Sequence, residues 1–307
     1  MSELVVEVNN LSRSFGKTKA LDCIDFQASR GKVYGLVGAN GAGKTTLIKH
    51  LLGLLRAKSG SVRIFGEDPV KQPERVLKHI GYLSEDRDIP DWMSINELMR
   101  YTSAYHGGWD PSYADELLDT FSLDPTKKIK ALSRGMRAQV ALICAVAHRP
   151  DLLILDEPSS GLDTVVRNDI LNAVVRTISE DGRTVIFSSH LLEEVERLSD
   201  HVTMIHQGRV TLDSSLEMIN KNHHYSSIRF SERQHALPKL EDAVSISGEG
   251  RFWSVIHQGS VDSFGSTLQN IGGVIVESRH ATLEEVFVYK IGREDLRDHT
   301  QITEGSE

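Results

Sequence analysis

The chain opens with two stretches, VVEVNNLSRSF and ALDCIDFQAS, that read as strands; the second alternates apolar and polar positions. KVYGLVG (32–38) breaks that alternation as a short continuous apolar run that ends in a glycine-rich turn. TTLIKHLLGLL (45–55) follows, with apolar residues at helical spacing. SVRIFG and HIGYLSE add two more strand patterns. Over about 88–135 the texture becomes helical, in INELMRYTSAYH and SYADELLDTFSL, separated by GGWDP. Strand and helix then alternate: helix 134–148, strand LLILDE, helix 164–179, strand TVIFSSH, helix LLEEVERLSD, strand HVTMIHQG. Short, wholly apolar strands between helices predict an α/β domain with a parallel sheet covered on both faces.

The pattern shifts again after about residue 215. SSIRF, AVSISGEG, RFWSVIHQ and VIVESRH alternate like half-exposed strands, SFGSTLQNI is helical, and TLEEVFVYKIG closes the series. The chain therefore divides into a large domain over 1–221, a small C-terminal α+β appendage over 222–292, and a polar tail over 293–307 expected to fray.

Composition narrows the function classes. Lys plus Arg is 35 against 43 for Asp plus Glu, a net charge of −8, which argues against a broad nucleic-acid surface; no nucleic-acid partner is expected. The N-terminus, MSELVVEVNN, lacks a signal-peptide core. The longest apolar run, VALICAVA, is far short of the ~20 residues of a membrane span. A cytoplasmic location is expected, with any membrane role exercised through another protein's helices. The two cysteines, Cys23 and Cys144, read as buried thiols in a reducing compartment.

Three stretches carry chemistry. GANGAGKT, Gly38 to Thr45, has the spacing of a phosphate loop. Gly38, Gly41 and Gly43, with Asn40 and Ala42, let successive N–H groups turn inward to phosphate oxygens, and the following helix aims its positive end at the same place. Lys44 would reach the β- and γ-phosphates, and the Thr45 hydroxyl would ligate Mg²⁺. LLILDEP (152–158) is an apolar strand that ends in two acids. Asp156 is the expected further ligand of Mg²⁺, and Glu157 would point into the nucleotide cleft as the base for an attacking water. His190 ends the apolar strand TVIFSSH and faces the same sheet edge, where it could bond the γ-phosphate or the lytic water. In ALSRGM, Ser133 should cap a helix while Gly135 permits close approach to its N-terminus.

GANGAGKTT, LSRGM, LLILDE, SGLD (160–163) and His190, in that order over about residues 4–215, make the chain resemble the ATP-binding subunits of ABC transporters, exporter type. The resemblance implies a P-loop NTPase with a RecA-like core, an antiparallel β subdomain and a helical subdomain. It implies ATP and Mg²⁺ as cofactors, with Thr46 joining the phosphate contacts. Two ATP molecules would be sandwiched in a head-to-tail pair with a second copy or a homologous subunit. The Ser133 and Gly135 elbow of one subunit would then face the phosphates held by the other. A separate transmembrane permease would hold the pair to the cytoplasmic face of the membrane and be driven by it. Phe15 falls where the family stacks an aromatic on adenine, and Asp163 where a loop crosses the dimer interface.

Two positions depart from the family pattern. The usual signature is LSGGQ, whereas Arg134 and Met136 stand in place of a Gly and the Gln. Glu85 stands where a Gln is usual; its carboxylate could still ligate Mg²⁺. In the family a permease helix docks beside the helical insertion, which makes Trp92, Met93 and Met99 candidate contacts. ATLEEVFVYKIG matches the exporter-type C-terminal motif weakly. A soluble ABC-type ATPase of translation or DNA repair is the alternative; two nucleotide domains or a coiled-coil insertion would mark it, and neither pattern is present. A GTPase would need a guanine-reading N-K-x-D, which is absent.

Overall fold

The computed structural model describes residues 3–238, 240, 242–288 and 290, and of residues 177–181 only the backbone. The tail expected over 293–307 lies outside the described residues. The chain separates into two compact units, Met1–Val210 and Thr211–Glu307.

In chain order the first unit runs β1 (Leu4–Phe15), β2 (Thr18–Ser29), β3 (Val33–Val37), α1 (Lys44–Leu51), β4 (Ser59–Ile64), α2 (Pro73–Leu77) and β5 (Ile80–Leu83). The helical segment follows, with α3 (Ile95–Ser103), α4 (Pro111–Thr120) and α5 (Arg134–Val146). The remainder is β6 (Leu152–Asp156), α6 (Thr164–Asp181), β7 (Thr184–Ser189), α7 (Leu192–Leu198) and β8 (His201–His206), with β9 (Arg209–Ser215) across the division.

A six-stranded sheet has the order β5-β6-β7-β3-β8-β9. The pairs β5–β6, β6–β7, β7–β3 and β3–β8 are parallel. Every residue of β3, β6 and β7 is buried, as their apolar runs require of strands covered on both faces. A second, antiparallel sheet has the order β2-β1-β4. Its inward residues Val8, Leu11, Ile24, Phe26 and Ile64 join Leu47, Ile48 and Leu51 of α1 in one core. Each fully buried side chain of this kind stabilises the fold by roughly 1.5–3 kcal/mol.

Register decides where the site lies. Asp156 pairs with Ser188, and Val37 with Ser189. The loops after β3, β6 and β7 therefore leave the sheet side by side at its carboxyl edge, where open α/β sheets bind ligands.

The second unit holds α8 (Leu216–Asn222), β10 (His223–Gln234), β11 (Ala243–Gln258), α9 (Val261–Gln269) and β12 (Gly273–His280). Its antiparallel sheet, in the order β11-β10-β12, buries Ile228, Phe230 and Val255 with Phe264 and Leu268 of α9. AVSISGEG and RFWSVIHQ form one long strand rather than two. Gly248 and Gly250 take positive φ, 136° and 62°, and let the strand bend without ending. Residues 283–288 of the closing stretch are helical. Cys23 is exposed rather than buried: it sits at φ 51° in an irregular part of the β1–β2 ladder, where its amide donates to Ser12 Oγ at 2.9 Å.

Candidate active site

The loop Gly38–Gly43 carries the chain from β3 into α1. Gly38 packs so tightly against the Ile205 carbonyl that a β-carbon would collide with it, and Gly43 takes φ 117° against the Ala20 carbonyl. Only glycine serves at both positions. No side chain caps α1 and no acid lies in its first turn. Its free amides and positive end are therefore open to an anion. Lys44 is buried, and its Nζ donates to the Gly38 carbonyl at 2.6 Å. A cavity of about 340 Å³ is lined by Asn40–Thr46 together with Glu85 and Glu157.

The acidic end of β6 meets this cradle. Glu157 Oε1 lies 3.1 Å from Lys44 Nζ, an ion pair without hydrogen-bond alignment. Its Oε2 bonds His190 Nδ1 at 2.7 Å. The carboxylate is thus fixed from two sides at the mouth of the phosphate loop. Glu157 has φ 48°, a left-handed conformation that residues with a β-carbon adopt at a cost. Ser188 supports both acids. Its Oγ donates to Asp156 Oδ1 at 2.6 Å and accepts from the Glu157 amide at 2.9 Å. Behind the loop, Ser159 and Ser189 both donate to Glu194 Oε2, at 2.7 and 3.0 Å. Nothing marks Ser188 as functional in the sequence beyond two serines closing an otherwise apolar strand.

Other sequence candidates stand apart from this cavity. Ser133 caps α5, its Oγ accepting from the Met136 amide at 3.2 Å, and is exposed. Gly135 is buried against Val166, where a β-carbon would press on the valine side chain at 3.0 Å. Asp163 caps α6, accepting from the amides of Val165 and Val166, both at 3.1 Å. Within one chain these three do not line the phosphate cavity. Phe15 is 47% exposed beside the β1–β2 turn, with the Arg13 guanidinium 4.8 Å from its ring centre. Arg134 does not extend freely from the elbow; its guanidinium packs on Gly161.

Glu85 is brought to the cavity, whereas Asp156, the residue before Glu157, is buried and is not part of its lining. Thr45, Glu85 and Asp156 supply oxygen only. That set suits Mg²⁺, which is held by one or two carboxylates and completes its shell with phosphate and water. Among the described residues no group of three or more His, Cys, Asp or Glu could hold a metal on its own.

A larger cavity, about 440 Å³, lies along the helical segment and includes Leu54, Leu77, Tyr82, Ile89, Cys144 and His148. Leu54 is 65% exposed there. The three expected docking residues divide. Trp92 is 70% exposed, whereas Met93 and Met99 are buried with Ile95 and Leu98 in the core of the helical segment and cannot serve as surface contacts. Met99 lies on the inward face of α3, and Met93 is buried just before its N-cap Ser94.

Residues 21–160 match the family described as ABC transporter. The chain is similar to the bacitracin transport ATP-binding protein BcrA of Bacillus licheniformis, 32% identical over 245 residues that cover 79% of this chain and 80% of BcrA. It is similar also to the daunorubicin/doxorubicin resistance ATP-binding protein DrrA of Streptomyces peucetius, 33% identical over 215 residues covering 68% of this chain and 65% of DrrA. The solved structure of an ATP-binding subunit of an ABC transporter matches with a TM-score of 0.65 at 28% identity, covering 70% of this chain and 92% of that one.

Proposed function

The chain belongs to the ABC transporter family as an ATP-hydrolysing subunit, and from that premise we propose how its residues divide the reaction and what the reaction drives. The amides of Gly38–Thr46 hold the ATP tail. Lys44 turns from the Gly38 carbonyl and Glu157 to the β- and γ-phosphates. Thr45, Asp156 and Glu85 hold Mg²⁺, which when bound offsets charge on the phosphate oxygens. Glu157 takes one proton from a water that attacks the γ-phosphorus; the bond to the ADP oxygen breaks, giving ADP and phosphate. His190 keeps the Glu157 carboxylate aimed. The observation that carries this reading is one carboxylate held between Lys44 and His190 at the mouth of the phosphate loop.

Each ATP is completed by a second subunit, whose Ser133 amide end and Gly135 lid the phosphates and whose Asp163 loop crosses between the two. The exposure of Ser133, and its absence from its own chain's cavity lining, support that arrangement. Phe15 takes the adenine face. A separate membrane permease docks in the apolar groove around Leu54 and Leu77 and places the pair at the cytoplasmic face. Among the described residues no helix is long and apolar enough to cross a membrane. The names of BcrA and DrrA, one for bacitracin transport and one for drug resistance, support export as the direction.

Lys44→Ala tests the cradle. The expected outcome is loss of ATP binding and turnover in the full chain, read by nucleotide titration and phosphate release. Parental ATPase in that variant would overturn the assignment.

A further inference from the structure

We propose that Arg87 is a positioning residue that holds the Glu157 backbone in its working conformation and ties it to the helical segment. The inference rests on the reading of Glu157 as the base.

Glu157 keeps φ 48°, a backbone state that persists only where neighbouring bonds over-determine it. One such bond runs from its amide to Ser188, on β7 of the sheet. The others are made just beyond it. The chain turns tightly, with the Ser160 amide donating to the Glu157 carbonyl at 3.1 Å. That turn sends the Pro158 and Ser160 carbonyls toward Arg87. Arg87 Nη2 donates to both, at 3.1 and 2.9 Å. A single nitrogen with two hydrogens ties both carbonyls of the turn together.

Arg87 is 6% exposed. Burying a guanidinium is costly unless its donors are used; Nη2 meets two carbonyls, while the buried Nε has no hydrogen-bond partner. A plain solvent-facing turn would not need a buried cation. The Arg134 guanidinium packs on Gly161 of the same loop, so a second cation holds it.

The placement gives the contact its meaning. Arg87 is two residues past Glu85, where the chain leaves β5 for the helical segment, and Arg134 begins α5, where that segment returns. Both connections of the segment therefore grip the loop that begins at Glu157. A shift of the helical segment moves the Pro158 and Ser160 carbonyls and re-aims the base. The phosphate cradle is not touched, since Arg87 does not line it.

The test uses the full chain, with Arg87→Met, which keeps apolar length without donors, and Arg87→Lys, whose Nζ can donate to both carbonyls. Each is made in the parent and in the Glu157→Gln background, and read by single-turnover hydrolysis, ATP affinity and thermal midpoint. Arg87→Met is expected to slow hydrolysis about tenfold or more with ATP affinity within about twofold of the parent. Arg87→Lys is expected to recover part of the rate. In Glu157→Gln, where the group being positioned is already disabled, Arg87→Met should cost less than about twofold. An equal loss in both backgrounds, a matching loss of ATP affinity, or a parental rate in Arg87→Met overturns the inference alone. If Glu157→Gln itself hydrolyses like the parent, the base assignment fails and takes this inference with it.

Discussion

Glu157→Gln separates binding from chemistry, because the carboxylate, as the proposed base paired with Lys44, has an effect on each. Its Oε1 stands 3.1 Å from Lys44 Nζ. At an effective dielectric of about 20, such a pair attracts by about 5 kcal/mol before solvation is counted. ATP must draw Lys44 out of that contact and then place its own charge near Glu157. The amide removes both obstacles while keeping the shape. Its oxygen can still accept from His190 Nδ1, so the loop should stay in place. Water takes up most of the released attraction; a remainder of about 1.4 kcal/mol corresponds to a tenfold rise in ATP affinity. Hydrolysis moves the other way. Loss of a general base costs about 10²–10⁴ in rate. The assay is displacement of a fluorescent ATP analogue alongside single-turnover hydrolysis with enzyme in excess. Turnover close to the parent would show that another group takes the proton. ATP binding weaker than in the parent would refute the Lys44–Glu157 competition.

Three further outcomes follow from particular contacts. Ser188→Ala removes one charge-assisted and one neutral hydrogen bond from a fully buried position, about 3 kcal/mol together; for a unit the size of Met1–Val210 a thermal midpoint lower by roughly 6–12 °C is expected, and an unchanged midpoint contradicts it. Burial, and next the neighbouring His106, lower the His148 pKa from 6.5 to about 4. Between those values the unfolded chain binds a proton that the folded one refuses, so stability falls as pH drops through this window. Urea unfolding should lose about 2 kcal/mol between pH 7 and pH 5 through this group, a loss absent in His148→Gln. Leu54→Asp in the groove should abolish co-isolation with the membrane subunit while ATPase of the isolated chain persists; retained co-isolation counts against that docking site.

How far the site was legible varies with the distance over which its parts act. The phosphate loop is a local device: glycines 38, 41 and 43 and Lys44 must follow one another, so spacing alone exposes it. The buried strands β3, β6 and β7 are legible for a similar reason, as their apolar runs leave no outward face. Arg87 is not legible, because the carbonyls it bonds lie 71 and 73 residues away and carbonyls have no sequence signature. Met99 looks like a surface contact in a helical pattern, yet the pattern does not say which face of α3 meets the core; Met93, just before the helix, is buried as well. α2 begins at Pro73 and is only five residues long, too short for its periodicity to register. Ser133 is readable as a cap, which it is; its proposed role toward a second subunit involves no contact within its own chain's phosphate cavity.

That last point is the centre of the account: one polypeptide cradles the phosphates and another lids them. Ser133→Arg protein keeps a working cradle and loses the lid; Lys44→Ala protein does the reverse. Each alone should be inactive. In an equal mixture about half of the pairs are mixed, each with one complete site, so ATPase should return to roughly a quarter of the parental rate. Steady-state phosphate release from the mixture measures this directly. Recovery near that level is the expected result, and a mixture as inactive as its components would contradict hydrolysis shared between two chains.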